Sequence, residues 1–121
     1  MATIKAYTDL QQSRKLAEIL PIESADMEYL RLKETNATIG SVPFVKDKSE
    51  VENSAYNAVY ERIPCWSLAA LLDVLPNYEI NNFGDSIQLD VKNKALVTDE
   101  GETLLDLVVN MIIYLHELNL L

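Results

Sequence analysis

The stretch from Leu104 to Leu118 limits the fold more than any other part of the chain. Leu104, Leu105, Val108, Val109, Met111, Ile112, Leu115 and Leu118 cover most of the circumference of a helix. Only Asp106, Asn110 and Glu117 form a polar stripe, with Ile113 lying among them. A helix this apolar must be covered on nearly every side. Its longest apolar stretch, Leu104 to Leu115, is interrupted by Asp106 and Asn110 and is too short to span a bilayer. The segment is therefore expected to lie across a sheet as the most buried element, or to lend part of its surface to a subunit interface. Gly101-Glu102-Thr103 supplies its start.

The rest of the chain is read as what assembles around that helix. Thr8 is placed to cap a first helix, with Gln11 at capping-box spacing. Leu10, Ala17 and Leu20 share its apolar face with Leu16 beside them, Gln12, Arg14, Lys15 and Glu18 face water, and Pro21 ends it. Thr3 to Tyr7 reads as a short edge strand and Met27 to Leu32 as a second strand. Gly40, Pro43 and Lys46-Asp47-Lys48 indicate loop. Residues 50–60 read as helix on Val51, Ala55 and Val59, or as strand on Tyr56 and Tyr60.

Pro64 suits the first position of a second helix, Cys65 to Leu75, with Leu68, Leu71, Leu72 and Leu75 as its stripe. A meander follows: Tyr78 and Ile80, a turn at Asn81 to Asp85, the alternating Ile87, Leu89 and Val91, a turn at Lys92-Asn93-Lys94, then Ala95 to Thr98. With no repeat or linker, residues 1–121 read as one domain. The expected class is α+β: an antiparallel sheet of three or four strands, helices packed on one face, and the C-terminal helix most buried. The expected core is Leu16, Leu20, Leu30, Trp66, Leu68, Leu71, Leu72, Ile87, Leu89, Val108, Met111, Ile112 and Leu115.

Charge narrows the partners. The net charge is −9, and it is uneven. Residues 1–62 carry ten acids and eight bases, whereas residues 63–121 carry nine acids and two bases, and no base follows Lys94. Clustered Lys and Arg are what phosphates require, so direct contact with nucleic acid or an anionic membrane is disfavoured. A protein partner, including a second copy, remains. Cys65 is the only cysteine, which excludes an internal disulfide and disfavours a cysteine-based zinc site. Met1 to Lys5 lacks the apolar run of a signal peptide, so a cytoplasmic location is expected.

Three groups of side chains are candidates for chemistry. A thiol at a helix start has its pKa lowered by the dipole, so Cys65 is a candidate nucleophile with His116, the sole histidine, as its base. The plainer reading makes Cys65 a small buried residue and gives His116 a place at a helix C-terminus. Trp66 and Ser67 are candidate ligand-binding residues, a stacking platform beside a hydroxyl, against the plainer roles of core anchor and cap. Asp99, Glu100, Glu102 and Asp106 are candidate metal ligands, although they lack calcium-loop spacing and acids near a helix N-terminus are stabilising unaided. Gly40, Gly84 and Gly101 are isolated, no phosphate loop exists, and no cofactor is expected.

Several runs resemble a family of small uncharacterised bacterial proteins from gut-bacterial genomes and phage-like mobile elements. They are Gln12-Ser13-Arg14-Lys15-Leu16, Leu20-Pro21-Ile22-Glu23-Ser24-Ala25-Asp26-Met27, and Ile63-Pro64-Cys65-Trp66-Ser67-Leu68-Ala69-Ala70-Leu71-Leu72 with Leu75-Pro76. The run Leu104-Leu105-Asp106 through Met111-Ile112-Ile113-Tyr114-Leu115 is similar to the family's terminal helix. The resemblance implies origin and no activity. Three functions stay open: a non-enzymatic interaction or accessory module; an acidic mimic of nucleic acid that occupies a basic DNA-binding protein; and a small enzyme using Cys65.

Overall fold

The computed structural model describes residues 5–35, 37–45 and 59–121. Within them the chain runs α1 (Leu10–Ala17), a single 3-10 turn (Ile22–Ser24), β1 (Met27–Leu32), β2 (Thr38–Val45) and β3 (Tyr60–Cys65). It continues through α2 (Leu68–Val74), β4 (Tyr78–Asn82), β5 (Ile87–Val91), β6 (Lys94–Val97) and α3 (Leu104–Glu117). The class is α+β, and all strand pairing is antiparallel. The strands divide between two sheets, β2-β1-β3 and β4-β5-β6, in place of one sheet of three or four strands.

In the first sheet β1 is the expected strand Met27 to Leu32, whereas its two partners grow from residues whose sequence points elsewhere. β2 occupies the stretch read as loop, and β3 takes Tyr60 to Cys65, including the expected start of a helix. Both are edge strands of their sheet, which is where proline is tolerated: Pro43 sits in β2 beside a register shift and Pro64 in β3 opposite Glu28. The helix read from Cys65 begins at Leu68, because Ser67 is its cap and accepts a hydrogen bond from the Ala70 amide at 3.2 Å. In the same way Asp9, not Thr8, caps α1, in a reciprocal box with Gln12. The stretch 50–60, read as helix or strand, lies largely outside the described residues; Tyr60 belongs to β3. Of the expected Thr3–Tyr7 strand, the described part holds a single antiparallel bridge, Tyr7 to Ser67.

The core gathers on α3. Leu105, Leu107, Val108, Val109, Met111, Ile112 and Leu115 are all buried, and α3 packs on α1, α2, β5 and β6. Its exposed side carries Asn110 and Glu117, on the stripe read from the sequence. Leu16, Leu20, Trp66, Leu71, Leu89 and Val91 complete this core, with Leu68, Leu72 and Ile87 half-buried against it. A second, smaller cluster of Tyr29, Ile63 and Cys65 joins α1 to the first sheet. On α1 the buried line is Ser13 and Leu16, while Ala17 is exposed and Gln12 is half-buried, a rotation of the expected face. Leu30, expected in the core, is half-buried on β1.

One charged pair lies inside. Glu28 of β1 is 4% exposed and receives two hydrogen bonds from Arg62 of β3, at 2.7 and 2.8 Å. Among the described residues, no helix is long and apolar enough to cross a membrane.

Candidate functional site

Cys65, Trp66 and Ser67 form a knot that ties four parts of the chain together. Because β3 runs through Cys65 and α2 starts only at Leu68, the thiol is at no helix N-terminus. It is fully buried, 3.4 Å from both the hydroxyl and the carbonyl of Thr8. Burial pushes the thiol pKa up, against the opposing hydrogen bonds of Thr8, Ser13 and Tyr29. His116 is exposed in the last turn of α3. The geometry gives Cys65 the environment of a packing thiol.

Thr8 is the hub that sequence reading missed. Its oxygen accepts the Trp66 amide at 3.1 Å and lies 2.7 Å from the Ser13 hydroxyl, and its carbonyl accepts the Tyr29 hydroxyl at 2.8 Å. With Ser13 donating, Thr8 is free to donate to the sulfur, and its hydroxyl is fully used. Burial raises the Tyr29 hydroxyl above its ordinary range, so it stays a donor. Trp66 is buried completely, and its indole N–H donates to the Ser24 hydroxyl at 2.9 Å. Ser67 is held at both backbone and hydroxyl by the Asp26 carboxylate. The candidate platform and its hydroxyl are thus committed to the fold. A thiol reagent is expected to label Cys65 slowly in the native protein and rapidly in urea, as a time course by mass spectrometry will show; rapid native labelling would contradict this geometry.

The acids before and within α3 are likewise engaged by the chain. Glu102 accepts from the Asp99 amide at 2.6 Å and from the Asn110 side chain at 2.9 Å. Asp106 closes a capping box with Thr103 and accepts from Lys5 and from Gln12, each at 2.9 Å. Asp99 and Glu100 are exposed. Among the described residues, no group of three or more His, Cys, Asp or Glu could hold a metal ion.

Lys5, paired with Asp106 and Asp9, couples the N-terminal segment to α3. Burial tends to raise the Asp106 pKa, but the Lys5, Thr103 and Gln12 hydrogen bonds prevail and bring it from 3.8 to about 2. A carboxyl whose folded pKa is depressed stabilises fully above 3.8 and loses that contribution as pH falls through about 2. Asp106→Asn is expected to lower stability by about 1 to 2 kcal/mol at neutral pH, after allowance for partial exposure. In acid titration of urea unfolding, the difference should shrink between pH 3.8 and about 2; a difference independent of pH would contradict the assignment.

Open surface lies elsewhere, at the edge of the second sheet. Among the described residues, β4 pairs only with β5. Tyr78 and Ile80 face the same side as Val91 and Leu89, their partners in the ladder, yet they are 43% and 37% exposed, since α3 packs chiefly on β5 and β6. Beside them, Ala69, Leu72 and Asp73 of α2 and Leu75 to Tyr78 line a shallow cleft of about 450 Å³. At the hairpin tip Phe83 is 61% exposed, next to Gly84, whose φ of +89° suits the turn. The alternation of Tyr78 and Ile80 is legible in the sequence; that their side of β4 lacks a cover depends on where α3 crosses, which no local pattern encodes.

No family model, curated protein or solved structure matches this chain.

Proposed function

We propose that this chain is a non-enzymatic protein-interaction module that binds through the β4 edge and the adjoining α2 cleft. The reading rests on one observation above others: Tyr78 and Ile80 lie on the core side of a sheet and are left partly exposed. Large apolar residues gathered beside a strand edge that is unpaired among the described residues are what proteins otherwise hide, because they promote association. The thiol supports this over a cysteine enzyme, since Cys65 is buried and held protonated. The acids around α3 lend little to nucleic-acid mimicry, because Glu102 and Asp106 are bonded within the chain. A cytoplasmic setting agrees with a single unpaired cysteine, and the resemblance drawn from sequence makes an accessory role in a mobile element the accompanying proposal.

A photo-crosslinking residue at Tyr78 tests the reading. It is expected to trap a defined protein that excess unlabelled chain displaces, while the same residue at exposed Glu18 traps none. Identical products from both positions, or none from either, would overturn it.

A further inference from the structure

We propose that β4 receives an extended cationic segment of another protein as an added strand, with apolar side chains toward the α2 cleft and lysine or arginine on the opposite face. This rests on the interaction reading above and names the partner's chemistry. The direction of the open backbone groups follows from the hairpin. The Phe83 amide donates to the Ser86 carbonyl at 2.9 Å, so Phe83 faces β5. Antiparallel ladders alternate, and Asn81 and Glu79 then also bond toward β5. The amides and carbonyls of Tyr78, Ile80 and Asn82 point to the open edge. An extended peptide can satisfy them all, which is the physics of strand addition.

Charge selects the occupant. On the face away from the core, Glu79 stands directly opposite Asp90. Like charges across a ladder repel, and among the described residues Asp90 is moderated by the side-chain amides of Asn81 and Gln88. The whole run from residue 63 to residue 91 holds four acids and no base. A cation on an added strand beside Glu79 relieves the repulsion that the free protein carries. A second copy does the reverse, bringing another Glu79 and Asp90 to the same edge on a chain whose net charge is −9. The favoured occupant is therefore a basic strand of alternating pattern, whose apolar side chains enter beside Tyr78, Ile80 and Leu72.

The test uses the full chain and two labelled peptides of about six residues, one alternating lysine with valine and one alternating glutamate with valine. Fluorescence anisotropy should show binding of the lysine peptide alone, weakening as salt is raised. Glu79→Lys should weaken it by about fivefold, with Glu18→Lys neutral. Ile80→Pro removes one outward amide while leaving the β5 ladder intact, and should weaken binding by about tenfold or more. Should that variant misfold, the Glu79 result still decides. Equal binding of both peptides, or a Glu79→Lys variant that binds as well as the native chain, would overturn the proposal. So would a concentration-dependent dimer abolished by Ile80→Pro, which would make a second copy the occupant. If neither peptide binds while Tyr78 still crosslinks one protein, this inference falls and the interaction reading stands.

Discussion

Trp66→Ala should cost the protein about 4 kcal/mol, the largest effect expected of any single truncation. The indole is fully buried in the main core. Its backbone is tied to Thr8 by two hydrogen bonds, at 3.0 and 3.1 Å, and its N–H to Ser24. Truncation leaves a cavity and removes the indole hydrogen bond to Ser24, whose hydroxyl keeps its bond to the Pro21 carbonyl, so the cavity dominates the cost. Domains of this size are stable by only about 5 to 15 kcal/mol, so the variant should melt far below the parent. Urea unfolding followed by far-UV circular dichroism gives the number without relying on tryptophan fluorescence. A loss under about 1 kcal/mol would mean that the side chain packs loosely and that a pocket at Trp66 must be reconsidered.

Arg62→Leu should be nearly as damaging, by about 3 kcal/mol, for a different reason. Glu28 is 4% exposed and its carboxylate is met by two hydrogen bonds from Arg62. Removing the cation strands a buried charge, and that penalty exceeds what the pair contributes as a pair. The double variant Glu28→Leu/Arg62→Leu removes both charges and should recover most of the loss. Losses that simply add would show that the two side chains act independently, contrary to the geometry.

The contrast between what the sequence revealed and what it hid has a physical basis. The burial of α3 was readable because its apolar pattern allows no solvated alternative. The meander from Tyr78 to Val97 was readable because period-two alternation is broken by turn residues, and Lys92 and Asn93 do adopt the positive φ of a tight hairpin. β3 was hidden because Pro64 and the leucines after it imitate a helix start, whereas Pro64 is an edge-strand residue and Ser67 caps the helix three residues later than Pro64 suggests. Cys65 consequently lost the helix dipole on which its candidacy as a nucleophile depended. Thr8 has a capping residue's chemistry and uses it across the fold on Trp66 and Cys65, a partnership of residues 57 and 58 positions apart that no local window contains. The open edge was invisible for a similar reason, since exposure of Ile80 follows from the limits of α3 rather than from β4 itself.

Native-state hydrogen exchange, read amide by amide by NMR, is the most direct measurement of an apolar helix gripping one sheet and leaving β4 bare. The amides of Leu107 to Leu115 should exchange slowest, those of Glu79 and Asn81 more slowly than those of Ile80 and Asn82, and the last two close to the rate of unstructured backbone. Rapid exchange throughout α3, or Ile80 and Asn82 protected as well as their neighbours, would contradict the account.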